Sequence, residues 1–277
     1  EKEAVINWIK SQKYWDLSEL ECYLIEEYGV VFKSLSSYYE LLNEAKISWQ
    51  KAQKKNPKKD PEVVKKRNEE IKSKLEERNE KIRARKLIVY AIDEVHLLEG
   101  DLISHGWGEC KNRLKIPINN EKDRQTYYGA LNLFEPDLIV REYPAGNGEN
   151  TVNFVKELIK INQEEAKKNN EKEERQILII WDGAAYHKGQ EMRKLLGCIN
   201  QNLTEEEWKV TCELFAPNAP EENPIEAVWL QLKNLLRRCH RFCKNFKIIN
   251  RLFKLLVDLK LFNFPDIEKY DAFSCLI

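Results

Sequence analysis

The chain has 277 residues, of which 42% are hydrophobic and 33% are charged, and its formal net charge is zero. This composition is typical of a globular protein, and no apolar run approaches the ~20 residues that a membrane-spanning helix needs. Seven cysteines, an odd number without the spacing of a disulfide framework, indicate a reducing cytoplasm. We therefore expect a cytoplasmic protein without a membrane partner.

The charges are unevenly distributed along the chain. Residues 1–86 contain 20 Lys and Arg against 16 Asp and Glu, and residues 231–262 contain 9 against 1. The segment between them is therefore acidic. Basic ends and an acidic centre suit a polyanionic substrate held at the flanks and a metal ion held in the middle.

Residues 1–50 predict three short helices. The second ends at Gly29, and the third begins after Ser34 or Ser36, both favourable N-caps. Two helices joined in this way fit a helix-turn-helix, whose second helix enters the major groove of DNA with its N-terminal residues. A three-helix bundle without a DNA role is the alternative. On the first interpretation, DNA contacts are expected from Lys33, Ser34, Ser36, Ser37 and Tyr38.

Residues 51–86 predict a charged linker followed by a helix. The first part is basic and polar, and Asp60 followed by Pro61 is a strong helix start. The run that follows, to about Arg85, is charged on nearly all sides. This pattern favours a solvated connecting helix, and phosphate contact by Lys65, Lys66 or Arg67 is the weaker alternative.

From Leu87 onward, strands and helices follow one another in the order of a mixed sheet. Apolar runs predict strands over 87–92, 126–134, 138–143, 177–181 and 210–215. Helices are predicted over 151–167, 189–196, 223–238 and 246–261. Three strands, a crossover helix and a fourth strand predict an α/β fold with helices on both faces of the sheet. That order is the ribonuclease H-like arrangement, here preceded by an all-α helix-turn-helix domain.

Three acidic residues lie where a sheet of this kind places ligands. Asp93 and Asp182 each follow an apolar strand, and Glu226 lies in the first turn of the helix predicted to begin at Asn223. Such carboxylates can hold two Mg²⁺ or Mn²⁺ ions, which clamp the attacking and leaving oxygens of a phosphoryl transfer. Taken singly, Asp182 could form a turn, Asp93 could cap a helix and Glu226 could complete a capping box. We exclude Glu94 because strand alternation points it to the opposite face.

Four segments together carry a family resemblance. They are Asp93-Glu94, the turn Gly106-Trp107-Gly108, Asp182 to His187, and Asn223 to Trp229. These segments resemble the mariner-like insertion-sequence transposases of the DDE class. The chain departs from the family pattern in three places. Gly183 stands where Asn is usual, the loop 217–222 is looser than the usual Pro-Tyr-Ser-Pro-Glu-Leu, and the 43 residues between Asp182 and Glu226 exceed the usual mid-thirties. A polar insertion near 201–208 is expected to absorb the excess.

The resemblance implies a domain organisation. Residues 1–50 would be the helix-turn-helix DNA-binding domain, residues 51–86 the charged linker and helix, and residues 87–277 the ribonuclease H-like catalytic domain. Members of the family usually carry two helix-turn-helix units, so a first unit is expected ahead of Glu1.

The resemblance also implies an activity. It implies an Mg²⁺-dependent transposase that cleaves at the terminal inverted repeats of an element and joins the 3′ ends to target DNA, by cut-and-paste at TA dinucleotides. A homodimer in the synaptic complex and association with the nucleoid are expected. Asp93, Asp182 and Glu226 would be the catalytic metal ligands, with His187 and Asn223 in support. A nuclease that cuts without joining and a catalytically inactive DNA-binding derivative are the alternatives.

The basic segment near residue 240 offers two interpretations. Phosphate contact is the stronger, because several arginines lie on one helical face. A zinc site is the weaker, because Cys239, His240 and Cys243 lack a second ligand pair at zinc spacing. The arginines expected to contact DNA are Arg237, Arg238 and Arg241.

Overall fold

The computed structural model describes residues 1–12, 17–48, 57–98, 123–171, 173–239, 243 and 245–276. The chain divides into two compact units, Glu1–Lys55 and Asn56–Ile277, each with its own hydrophobic core. None of the described helices combines the length and the apolar character needed to cross a bilayer. The predicted turn Gly106-Trp107-Gly108 lies outside the described residues.

The described part of the N-terminal unit contains three helices, α1 (Lys2–Ser11), α2 (Leu17–Tyr28) and α3 (Leu35–Glu44). Helix α2 ends where Gly29 adopts a left-handed φ of 62°, a conformation that glycine tolerates without a Cβ clash. Helix α3 is capped by Ser34, whose side chain accepts a hydrogen bond from the backbone N–H of Ser36. The three helices pack together through Ile9, Leu20, Leu24, Tyr38 and Leu41.

The larger unit is built on a five-stranded mixed sheet. The strand order is β3-β2-β1-β4-β5, with β1 antiparallel to β2, β2 antiparallel to β3, and β1, β4 and β5 mutually parallel. The predicted mixed sheet is therefore confirmed. The strands are β1 (Leu87–Leu98), β2 (Arg124–Asn132), β3 (Asp137–Tyr143), β4 (Gln176–Trp181) and β5 (Val210–Leu214).

Helices cover both faces of this sheet, as predicted. They are α4 (Pro61–Glu77), α5 (Asn79–Arg83), α6 (Gly148–Lys168), α7 (Gln190–Ile199), α8 (Ile225–Arg238) and α9 (Phe246–Asp258). On β1, Val89 and Ala91 pack in the core that contains α8 and α9, whereas Tyr90 and Ile92 pack in the core that contains α6. Because side chains alternate along a strand, β1 presents consecutive residues to two different helix layers.

Strand β1 is longer than predicted. It pairs with β4 only as far as Ala91, but its pairing with β2 continues from Tyr90 to Leu98. Asp93 therefore lies within β1, opposite Gly129 of β2, and not after the end of the strand. The ladder to β2 satisfies the backbone of the polar residues that follow Ile92, so the chain stays extended beyond the apolar run.

Helix α4 is not the solvated connecting helix that its charges predicted. Asp60 caps it and Pro61 is its first residue, as expected. However, Ile71 and Leu75 are buried in the same core as α8 and α9. Two of its charged residues, Arg67 and Lys74, form ion pairs with Glu213 on β5, and the distance from Arg67 is 2.6 Å. This helix is thus part of the larger unit.

Candidate active site

The three predicted acids share one cavity. It has a volume of about 370 Å³ and lies just beyond the residues at which β1 and β4 stop pairing. Asp93 comes from β1, Asp182 directly follows β4, and Glu226 is on the first turn of α8. The segment 215–220, after β5, lines the rest of the cavity together with Asn223. The sheet thus brings together carboxylates that are 89 and 44 positions apart in the chain.

The pKa values of Asp93 and Glu226 are raised by burial and by neighbouring carboxylates. Burial raises the pKa of Asp93 well above its usual value, and the nearby carboxylates of Glu226, Glu94 and Asp182 raise it further. Burial also raises the pKa of Glu226, with a further increase from Asp182 that Lys233 opposes. Crowded carboxylates of this kind favour either a proton or a cation between them. The donor set therefore fits a hard divalent cation.

The carboxylates do not form a closed metal cage. Among the described residues, no group of three or more His, Cys, Asp and Glu side chains is close enough to hold a metal ion by itself. Mg²⁺ commonly binds through one or two carboxylates and completes its shell with waters and substrate phosphates. An open acidic cavity fits that mode of binding, in which substrate oxygens supply the remaining ligands.

Asp182 is held by His187. Both the Ala184 backbone N–H and His187 Nδ1 donate to Asp182 Oδ1, each at 2.9 Å. The hydrogen bond from His187 lowers the pKa of Asp182, against the effect of burial. This part of the site includes the predicted supporting residue His187.

His187 also contacts an acid that the sequence analysis excluded. Its Nε2 lies 3.0 Å from Oε1 of Glu94, whose side chain is only 4% exposed. Burial alone would lower the pKa of His187, but its hydrogen bonds to Asp182 and Glu94 outweigh that effect and raise it to about 9. Alternation along β1 does point Glu94 away from Asp93, but toward the face on which His187 lies. The sequence signal that could have predicted this contact is an acid near the end of one parallel strand combined with a histidine shortly after the neighbouring parallel strand.

Asn223 connects the two halves of the site. Its side-chain amide donates to the backbone oxygen of Ile92 at 3.1 Å, and its Oδ1 accepts from Ile225 N at 3.3 Å. Helix α8 begins at Ile225 with Pro224 as its N-cap, so the predicted start at Asn223 is corrected by two residues. The bond to Ile92 ties the start of α8 to the strand residue that precedes Asp93.

The residues predicted to contact DNA in the N-terminal unit differ in exposure. Lys33, Ser34 and Ser36 are exposed and Ser37 is half-buried. Tyr38 is only 2% exposed, and its hydroxyl accepts a hydrogen bond from Phe32 N at 3.0 Å. It belongs to the core of the unit, so its assignment as a DNA contact is corrected.

The predicted basic contacts of the larger unit lie at the far end of α8. Arg237 and Arg238 are in its last turn, about 18 Å along the helix axis from Glu226 at 1.5 Å per residue. Arg241 lies outside the described residues, as does His240 of the weaker zinc interpretation. The Cys243 thiol donates to the backbone oxygen of Cys239 at 3.4 Å. Arg237 and Arg238 are therefore separate from the acidic cavity.

The sheet topology, with three acids where its central parallel strands separate, defines a ribonuclease H-like fold. Residues 88–249 match the family described as DDE superfamily endonuclease, and residues 11–71 match a winged helix-turn-helix. The chain therefore belongs to the DDE superfamily of endonucleases, with a helix-turn-helix ahead of the catalytic fold. No curated protein matches the chain.

Solved structures of the Mos1 mariner transposase share this fold. The Mos1 paired-end complex with Mn has a TM-score of 0.55 at 12% identity, and the match covers 94% of this chain and 76% of that one. The paired-end complex with the left transposon end gives 0.53 at 12% identity, covering 93% and 76%. The Mos1 strand transfer complex gives 0.52 at 11% identity, covering 96% and 79%. The resemblance to mariner-like transposases is thus confirmed at the level of the fold.

Proposed function

We propose that this chain is a DNA transposase that cuts at the ends of its element and joins the freed 3′ ends to target DNA by cut-and-paste, at TA dinucleotides. The observation that carries the proposal is the convergence of Asp93, Asp182 and Glu226 on one cavity in a DDE superfamily fold. A single set of acids serves both steps, because each is an in-line attack on a phosphodiester, first by water and then by a 3′-hydroxyl.

The three acids would hold two Mg²⁺ or Mn²⁺ ions. When bound, such ions lower the pKa of the attacking oxygen and stabilise the charge on the leaving oxygen. Asp93, Asp182 and Glu226 would be the protein ligands of these ions, since all three line the cavity. His187 keeps Asp182 in place, and Asn223 keeps the first turn of α8 against β1.

DNA binding would be divided between the two ends of the chain. Lys33, Ser34, Ser36 and Ser37 at the start of α3 would read the terminal repeats, and Arg237, Arg238 and Arg241 would contact phosphates. The Mos1 structures named above include a complex with a transposon end and a strand transfer complex. For this chain we also propose a homodimer in the synaptic complex and a location at the nucleoid. We propose functional limits of 1–50 for DNA binding and 87–277 for catalysis, with 51–86 between them and its helix α4 packed on the larger unit.

The decisive test uses a plasmid that carries the element ends, incubated with protein and Mg²⁺. We expect nicks at the ends and joined products. Glu226→Gln removes the charge that faces the cavity and is expected to abolish cleavage.

The matched control is Glu222→Gln, four residues away. Glu222 accepts a hydrogen bond from Asn68 Nδ2 at 2.9 Å and does not line the cavity, so its variant is expected to stay active. Cutting without joined products would identify a nuclease instead, and end binding without cutting would identify an inactive derivative. An active Glu226→Gln beside an inactive Glu222→Gln would place the third acid on the preceding loop.

A further inference from the structure

Glu94 is a buried acid that the proposed mechanism does not use. It lies on the face of β1 opposite Asp93, and its side chain is only 4% exposed. Its two oxygens have separate partners: Oε1 lies 3.0 Å from His187 Nε2, and Oε2 accepts from the Tyr186 hydroxyl at 3.2 Å. A carboxylate in such surroundings is costly to bury unless these bonds are made. Its position is therefore defined from two directions.

His187 transmits that position to the cavity. Its side chain is fully buried and stacks on Trp181, with ring centroids 4.3 Å apart and an interplanar angle of 3°. Stacking fixes the plane of the ring but leaves open which nitrogen points toward the cavity. The contact with Glu94 favours one orientation, in which Nδ1 faces Asp182 and also lies 3.2 Å from the backbone oxygen of Asp182.

Asp182 is the receiving end of this chain of contacts. Its side chain is 56% exposed, so packing alone does not fix its direction. The hydrogen bonds from Ala184 N and His187 Nδ1 both go to Oδ1. Oδ2 is thereby left for a ligand in the cavity. The contacts thus run from Tyr186 through Glu94 and His187 to Asp182, whose exposed side chain is not fixed by packing.

We propose that Glu94 is a positioning residue, which through His187 orients the Asp182 carboxylate toward the metal ion of the active site. The proposal rests on the proposed function, because it takes Asp182 as a ligand of the divalent ion. Groups that orient a metal ligand from behind commonly change metal affinity or activity by about 10–100-fold when they are removed. On this proposal the length of the Glu94 side chain matters more than its charge, because its carboxylate must extend far enough to hold the imidazole of His187.

The test separates reach from charge with two variants of the full chain. Glu94→Gln keeps the length and an oxygen acceptor but loses the charge, whereas Glu94→Asp keeps the charge but withdraws the acceptor by one methylene. Mn²⁺ affinity is measured by calorimetry on the protein without DNA. We expect Glu94→Asp to bind Mn²⁺ about tenfold more weakly and Glu94→Gln to stay within about threefold of wild type. In DNA cleavage, the loss in Glu94→Asp is expected in kcat, with KM for DNA unchanged.

Glu157 supplies a matched control. It also pairs with a cation, Arg141, and accepts from a tyrosine hydroxyl, that of Tyr143 at 3.3 Å, but it does not line the cavity. Glu157→Asp is expected to leave Mn²⁺ affinity and kcat unchanged.

Two patterns would overturn the positioning role. One is a wild-type Mn²⁺ affinity in Glu94→Asp. The other is a weak affinity in Glu94→Gln beside a normal one in Glu94→Asp, which would show that charge acts and not reach. A wild-type protein that neither binds Mn²⁺ nor cuts DNA in its presence would refute the proposed function and this inference with it. If wild type cuts DNA but binds Mn²⁺ only together with DNA, the comparison of kcat between the two variants decides. A wild-type protein that binds Mn²⁺ but does not cut DNA would refute the proposed function alone.

Discussion

Gly129 offers a direct test of how tightly α8 is packed on the sheet. It lies on β2 opposite Asp93, and the helix crosses directly over it. A Cβ added at this position would lie 2.6 Å from Cη2 of Trp229 and 2.9 Å from Cδ1 of Ile225. Trp229 is 2% exposed and packs against Phe253, so its ring cannot simply move outward. We expect Gly129→Ala to push the start of α8 away from the sheet.

The expected cost follows from this overlap. Inserting a methyl group into a filled core usually destabilises a protein by about 1–3 kcal/mol. The gain from replacing a strand glycine, about 0.5–1 kcal/mol, offsets only part of it. Because Glu226 lies between Ile225 and Trp229 on the same helical turn, its carboxylate would move with them. A displacement near 1 Å can reduce a rate by ~10²-fold, so cleavage should fall more than stability alone explains.

Urea unfolding and DNA cleavage measure the two effects. Gly197→Ala is the control, because Gly197 is exposed on α7 and an added Cβ meets nothing within 4 Å. It is expected to stabilise the protein by about 0.5–1 kcal/mol and to leave cleavage unchanged. The double variant Gly129→Ala/Trp229→Phe should recover part of the loss, since the smaller ring makes room. An unfolding midpoint for Gly129→Ala at or above that of wild type would refute this account of the packing.

The other predictions concern the acids, the N-terminal unit and pH. Asp93→Asn and Asp182→Asn should abolish cleavage without unfolding the protein. Wild type should be inactive in EDTA or with Ca²⁺ in place of Mg²⁺. Cleavage in any of these cases would refute the two-metal assignment. Deleting residues 1–50 should abolish discrimination between end and random DNA, while residues 231–262 keep a salt-dependent affinity; retained discrimination would contradict this. In the metal-free protein, the stabilisation from protonated His187 is complete below pH 6.5 and is lost as pH rises through about 9, on the order of 3 kcal/mol. The free energy of unfolding in urea should therefore fall over this pH range in wild type but not in His187→Gln.

The sheet could be predicted from the sequence because its buried strands are almost wholly apolar. Strand β4 is buried from Ile177 to Trp181, and an apolar run of that length fits a central parallel strand. The continuation of β1 could not be predicted, because Asp93, Glu94 and His96 interrupt its pattern. What keeps them extended is the ladder to β2, a long-range contact that no local signal encodes.

The acids of the site could be predicted, but the directions of individual side chains could not. Ser36 and Tyr38 are close neighbours on one short helix, yet the first is exposed and the second is buried against Phe32, with ring centroids 5.0 Å apart. Glu94 was excluded by a correct rule about alternation. The rule does not predict which side chain the acid contacts on the other face of the strand, and here that side chain is His187.

The charge pattern of α4 led to the wrong prediction of a solvated helix for a related reason. A helix charged on nearly all sides has no obvious buried face, but a narrow stripe through Val64, Asn68, Ile71 and Leu75 is buried. Two of its charged side chains, those of Arg67 and Lys74, pair with Glu213 on β5. Arg67 Nε donates to the backbone oxygen of Leu214 at 2.7 Å, an acceptor that a sequence pattern cannot reveal.

The stretch predicted to absorb the unusual spacing between Asp182 and Glu226 lies away from the site. The polar stretch 201–208 lies between α7 and β5, and its residues 205–207 form a short 3-10 turn closed by reciprocal hydrogen bonds between Thr204 and Glu207. It precedes Val210, which pairs with Ile177 at the start of β4, whereas the acids lie beyond the opposite ends of these parallel strands. Four strand residues at about 3.3 Å each place the insertion roughly 13 Å from that end. Extra residues there lengthen the spacing without moving a carboxylate, so spacing in the sequence is a weaker criterion for this site than the strand ends at which its acids lie.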